Sequence, residues 1–232
     1  PGLVRGMQQY TSPNANMDLV INFGSIARYP SGAKGAEMWR VCPNGDIWDS
    51  EKILTHVFQM DETEFFQYYV EKANASNKVA EHTLVKAMQK EYREIIAQAP
   101  EVPFSNVFVA KNTIGKLPDG SVLHIAGANT ARSWNFFELP RTVECYSNDG
   151  TMGIDGQVSA LIGESLATPN RLHFGVVGDL TFFYDMNSVG NHHIGNNLRL
   201  MVVNNGVGAE FKIYSHPAYQ WGEDGDKYMA AR

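Results

Sequence analysis

The chain has 232 residues, 44% of them hydrophobic and 19% charged, with a net charge of −6. That is long enough to bury a core in one large or two modest domains, and the acidic balance argues against an extended nucleic-acid surface. Cys42 and Cys145 stand apart without metal-ligand spacing, which argues against a disulfide framework or an iron–sulfur site, and no apolar run reaches the ~20 residues of a membrane span.

The opening stretch, PGLVRGMQQYTSPNAN, has no periodic pattern and reads as an irregular lead-in or a cut end. Without a secretory signal pattern, a cytoplasmic protein is expected. Met17–Phe23 is a compact apolar strand candidate. Trp39–Cys42 and His56–Met60 are two more, separated by the turn signal Pro43–Asp46, and Lys52–Leu54 is a further strand start. Asp61 with Glu64 makes a capping-box pattern ahead of Phe65, Phe66, Tyr69 and Val70, which predicts a helix with packed aromatics. A polar hinge at Asn74–Asn77 leads into a helical segment, Lys78–Gln98. There Leu84, Val85, Met88, Tyr92, Ile95 and Ile96 form one apolar stripe.

Pro100 and Pro103 mark the best boundary in the chain. Residues 1–99 and 100–232 are therefore expected to be separate domains. Phe104–Ile114 is a helix candidate, and Val122–Ala126, Thr142–Tyr146, His173–Val177 and Leu198–Val203 are strand candidates. Asp155–Ala167 is a helix with Val158, Leu161, Ile162 and Leu166 on its buried face. Each of the four strands ends in Gly or small polar residues, namely Gly127–Thr130, Ser147–Gly150, Gly178–Asp179 and Asn204–Gly206. Two β-like runs joined by a helix-length amphipathic crossover make a βαβ unit, so the strands run parallel and share one carboxyl edge. Ligands of open α/β sheets bind at that edge. Asp179 and Asn205, at equivalent places there, offer hard oxygen ligands to a magnesium-sized cation that phosphate oxygens would complete. His192 and His193, adjacent on the crossover helix, point in different directions and read as structural or solvated.

A Gly-Asp followed by Asn-Asn at this spacing, here GDL…NN, resembles the diphosphate-binding motif of thiamine diphosphate enzymes. The stretch SN-x-G-x-x-G-I-D-G, Ser147–Gly156, resembles one branch of that family, 2-succinyl-5-enolpyruvyl-6-hydroxy-3-cyclohexene-1-carboxylate synthase of menaquinone biosynthesis. The resemblance spans most of the chain. It implies a parallel-sheet, three-layer α/β thiamine diphosphate-binding fold, truncated at the C-terminus, with part of a central α/β domain before it. It also implies magnesium held by Asp179, the Asn205 side chain and the Val207 carbonyl. Gly178, Leu180, Thr181 and Thr130 would line the diphosphate. Ile154 would be the bulky residue that bends the cofactor, and Phe211 an aromatic packed beside it.

Two positions depart from the branch. Asp149 stands where the motif has Arg, and a second family Arg falls near Trp134. Those arginines recognise substrate carboxylates, a task that a carboxylate reverses in charge preference. The resemblance implies an enzyme that decarboxylates a 2-oxo acid, 2-oxoglutarate in the menaquinone branch, and passes the acyl unit to an acceptor. The departures keep open another 2-oxo acid, or a non-catalytic cofactor-binding or oligomerisation module. The family's activating glutamate belongs to a pyrimidine-binding domain not expected in these residues. The stretch alone is therefore expected to contain no catalytic residue and to be inactive, with the full-length protein a homodimer or homotetramer.

Overall fold

The computed structural model describes residues 18–23, 35–49, 52–76, 83–148, 153–214 and 216–229. They form two compact units that divide between Ala97 and Gln98. The expected lead-in and Asp149 lie outside the described residues.

In the first unit β1 (Leu19–Phe23), β2 (Glu37–Val41) and β3 (Leu54–Phe58) form a parallel sheet in that order. Strand pairing, and not hydropathy, sets the limits. Leu54 lies opposite Met38 and Phe58 opposite Val41, so Lys52–Leu54 and His56–Met60 mark a single strand. Met60 turns back, its N–H on the Phe58 carbonyl. The expected turn forms, with Gly45 at φ 69° donating to the Cys42 carbonyl. Buried Arg40 is satisfied by Asn22 Oδ1 at 3.1 Å and the Asp46 carbonyl at 2.8 Å.

Helix α1 (Glu62–Ser76) follows Asp61, whose carboxylate accepts from the Thr63 N–H at 2.8 Å. Phe65 is buried against Phe58 and Tyr69, whereas Tyr69 and Val70 are exposed. The helix runs through the hinge expected at Asn74, because no Gly or Pro interrupts it there. Asn77 lies outside the described residues. In α2 (Thr83–Ala97) Tyr92 is buried and Met88 and Ile96 are half-buried, while Val85 and Ile95 are exposed. The buried stripe is thus narrower than expected, a single row at four-residue spacing.

The second unit is built on a four-stranded sheet. Its strands are β4 (Val122–Ile125), β5 (Glu144–Tyr146), β6 (His173–Gly178) and β7 (Leu198–Val203), all parallel, in the order β5-β4-β6-β7. Successive residues point to opposite faces. One face carries Leu123, Ile125 and Val176, which pack with Ala110, Ile114 and Trp134 from α3 (Asn106–Thr113), the turn after it and α4 (Asn129–Trp134). The other face carries Ala126 and Val177, which pack with Val158 and Ile162 of α5 (Gln157–Ala167). Helices on both faces of a parallel sheet make the expected three-layer α/β architecture.

Local differences have local causes. Ser105 caps α3 by accepting from Phe108 N–H, so Phe104 falls outside the helix, 85% exposed. On α5 the fourth buried position is Ser165, not Leu166, since the buried set 158, 161, 162 and 165 follows three- and four-residue steps. The crossover from β6 to β7 is only a seven-residue helix, α6 (Asp179–Asp185), then a 3₁₀ turn over Met186–Gly190. Away from the carboxyl edge, Arg171 donates to the Gly120 and Ser121 carbonyls and pairs with Glu144 at 3.0 Å. Hydrogen bonds from Arg171 and then Tyr146 hold the Glu144 carboxyl below its ordinary range. This contribution to stability is present above the ordinary carboxylate pKa and is lost as pH falls through the lowered one. No helix among the described residues is long and apolar enough to cross a membrane.

Candidate functional site

The sheet order fixes where a site can form. From β4 the chain moves outward to β5 on one side, and from β6 it moves outward to β7 on the other. The switch point lies between the carboxyl ends of β4 and β6, where open α/β sheets place their ligand crevice.

The residues at that point meet. A Cβ built on Gly178 would lie 4.0 Å from Thr130 Oγ1 on α4, the helix after β4, and 3.9 Å from Thr181 Oγ1 on α6. Both threonines are buried. Asp179 is only 4% exposed. Its Oδ1 accepts from Leu180 N–H at 2.8 Å, and its Oδ2 accepts from Gly206 N–H at 2.8 Å, across 27 residues of chain. The carboxylate therefore joins the end of β6 to the loop after β7.

That loop has its own geometry. Gly206 takes φ 67°, a left-handed conformation that favours glycine. Its N–H also donates to Asn204 Oδ1 at 3.1 Å, while Asn205 Oδ1 accepts from Val207 N–H at 3.0 Å. The Val207 carbonyl accepts from Ala209 N–H at 3.0 Å, which leaves its second lone pair. One expectation shifts here. Gly178 pairs with Val203, so the register carried one residue further sets Asp179 level with Asn204, with Asn205 one step beyond.

Carboxylate, carboxamide and main-chain carbonyl oxygens are hard donors of the kind magnesium takes, and the donor set fits such a cation completed by phosphate oxygens. The two buried hydroxyls around a glycine without a side chain fit a close-approaching anion. Ile154, close after residues 149–152, which lie outside the described set, is half-buried. Gln157 Nε2 donates to the Asn148 carbonyl at 2.6 Å and the Gly153 carbonyl at 3.4 Å. Phe211, in the 3₁₀ turn Ala209–Lys212, stands edge-on to His216 at 5.1 Å and lies against Gly208.

Sequence reasoning missed several parts. Ala128, between β4 and α4, takes φ 58° without being glycine, a strained residue beside Thr130. Arg132 on α4 pairs with Glu210, 78 residues away, and neither residue sits in a local motif. Trp134, near which a family arginine falls, is buried in the core at 2% exposure. His192 and His193 follow the crossover helix instead of sitting on it. Their rings lie 3.8 Å apart at 42°, so the expectation that they diverge is wrong, because the loop lacks the helix's 100° step. Among the described residues no cluster of three or more His, Cys, Asp or Glu is placed to hold a metal.

The chain was compared with known proteins. No family model matches it. Over 201 residues, 84% of this chain and 35% of the relative, it is 34% identical to the 2-succinyl-5-enolpyruvyl-6-hydroxy-3-cyclohexene-1-carboxylate synthase of Bacteroides fragilis. The protein of the same name from Bacteroides thetaiotaomicron is 31% identical over 220 residues, 92% of this chain and 38% of the relative. That from Phocaeicola vulgatus is 32% identical over 200 residues, 84% and 35%. The chain belongs to this synthase family. It spans about a third of the length of the curated synthases it matches.

Proposed function

We propose that this chain is the diphosphate-binding part, residues 100–232, and part of the central domain, residues 1–99, of a thiamine diphosphate- and magnesium-dependent synthase. The whole protein would decarboxylate 2-oxoglutarate and add the succinyl unit to isochorismate, in menaquinone biosynthesis. The observation that carries this reading is the buried Asp179 carboxylate bonded to Gly206 N–H. It unites the two halves of the GDL…NN pattern at the switch point.

In this reading Asp179, Asn205 Oδ1 and the Val207 carbonyl hold Mg²⁺, whose charge offsets that of the diphosphate. Asn205 Oδ1, which accepts from Val207 N–H, would use its second lone pair. Thr130 and Thr181 donate hydroxyl hydrogen bonds to diphosphate oxygens, with Gly178 and Leu180 beside them. Ile154 and Phe211 supply apolar surface to the cofactor's rings. The cofactor itself supplies the electron sink for loss of carbon dioxide from a 2-oxo acid. The protein's part is binding, orientation and exclusion of water. A second reading, another 2-oxo acid as substrate or a module that binds without turnover, is supported by Asp149 where the branch has Arg and by Trp134 lying in the core.

Calorimetry tests the site directly. Thiamine diphosphate with Mg²⁺ is expected to bind, the same ligand in chelator to bind at least tenfold more weakly (about 1.4 kcal/mol), and thiamine without its diphosphate to give no heat. Equal affinity for thiamine and thiamine diphosphate would overturn the diphosphate assignment.

A further inference from the structure

The loop that carries Asn205, Val207 and Phe211 is held from several directions. Asp179 takes Gly206 N–H from the β6 side. Lys212 Nζ pairs with buried Asp226 at 2.9 Å, and Gly208 lies so close to the Met229 carbonyl that a methyl there would overlap it. Another tie comes from α4. Arg132 gives Nη1 and Nη2 to the two carboxylate oxygens of Glu210, the second at 3.0 Å, and Nη1 also reaches Asn129 Oδ1 at 3.4 Å.

We infer that Arg132 and Glu210 form a positioning latch for the metal and diphosphate site, setting the depth of the loop over the switch crevice. The inference rests on the site reading above. Arg132 stands two residues after Thr130, and Glu210 stands between Val207 and Phe211, so the pair links the hydroxyl side of the crevice to the metal side. Its fork-to-fork geometry fixes orientation as well as distance, which a lysine cannot do. Its side chains are 35% and 38% exposed. A pair that wet adds little to global stability. Its effect is on where the ligands sit, and this separates it from a merely structural ion pair.

The test compares Mg²⁺–thiamine diphosphate dissociation constants and melting temperatures for wild type, Arg132→Met, Arg132→Lys, Glu210→Gln and the exchanged pair Arg132→Glu with Glu210→Arg. Asp179→Ala serves as the site control. Arg132→Met and Glu210→Gln should weaken binding about 10–100-fold, the range for partners that orient metal ligands, with melting almost unchanged. Arg132→Lys should recover part of the affinity and the exchanged pair most of it. If Asp179→Ala loses binding while Arg132→Met binds like wild type, the latch is wrong and the site stands. If both bind like wild type, the site reading falls and the latch with it. Should Arg132→Met not fold, an exchanged pair that binds no better than Glu210→Gln overturns the latch.

Discussion

Asp179→Ala should weaken Mg²⁺-dependent binding of thiamine diphosphate at least ~100-fold, beyond the usual cost of losing an outer partner of a metal ligand. The reason lies in the double role of this side chain. It is the only carboxylate in the proposed ligand set, so its removal leaves the metal with neutral oxygens alone. It also holds the loop, since Oδ2 accepts from Gly206 N–H and Oδ1 from Leu180 N–H. Losing charged acceptors of this kind costs about 1.5–3 kcal/mol of stability. Binding is therefore to be measured well below the melting temperature of the variant. Asp179→Asn separates the roles, because it keeps an acceptor oxygen and removes the charge. It should melt between wild type and Asp179→Ala, because its amide nitrogen cannot accept the second N–H, and still bind poorly. Wild-type affinity in Asp179→Asn would show that the charge is not used on a metal.

The second large effect concerns what places α5 against the sheet. Leu161 is fully buried, and its Cδ2 lies where a side chain at Gly175 on β6 would go. Leu161→Ala is expected to destabilise the chain by about 2–5 kcal/mol. Gly175→Ala should cost about 1–3 kcal/mol, because the added methyl overlaps Leu161 and crowds Leu200 Cδ1 at 3.2 Å. The two changes should not add: the new methyl fills part of the space that Leu161 leaves. Denaturant unfolding of both single variants and the double variant measures the coupling. Strict additivity would mean that the helix does not pack on Gly175 as described. This contact matters to the site because α5 begins at Gln157, three residues after Ile154.

The parallel sheet was legible in the chain because its strands are apolar runs that end in Gly, Asn or Asp, and all four ends do share one edge. Strand limits were less legible. Met60 and Thr142 are apolar or β-branched enough to extend a strand, but a strand stops where its partner does, and no local pattern encodes that. The crossover after Asp179 shows the same limit: its amphipathic look is shared by one short helix, a 3₁₀ turn and a loop, so His192 and His193 were put on the wrong kind of backbone. At the site, short-range motifs were visible and long-range pairings were not. Gly178–Asp179 and Asn204–Asn205 stand out by residue type. Arg132 and Glu210 are ordinary surface charges until folding brings them together.

The central claim is that a divalent cation binds between the ends of β6 and β7. Trace Mn²⁺ added to the Mg²⁺–thiamine diphosphate complex of the isotopically labelled chain tests it through paramagnetic broadening of backbone amides. The amides of Gly178, Asp179, Leu180, Thr181, Asn205, Gly206 and Val207 should broaden first, and Asp179→Ala should abolish the effect. Broadening centred on His192 and His193, or undiminished in Asp179→Ala, would contradict it.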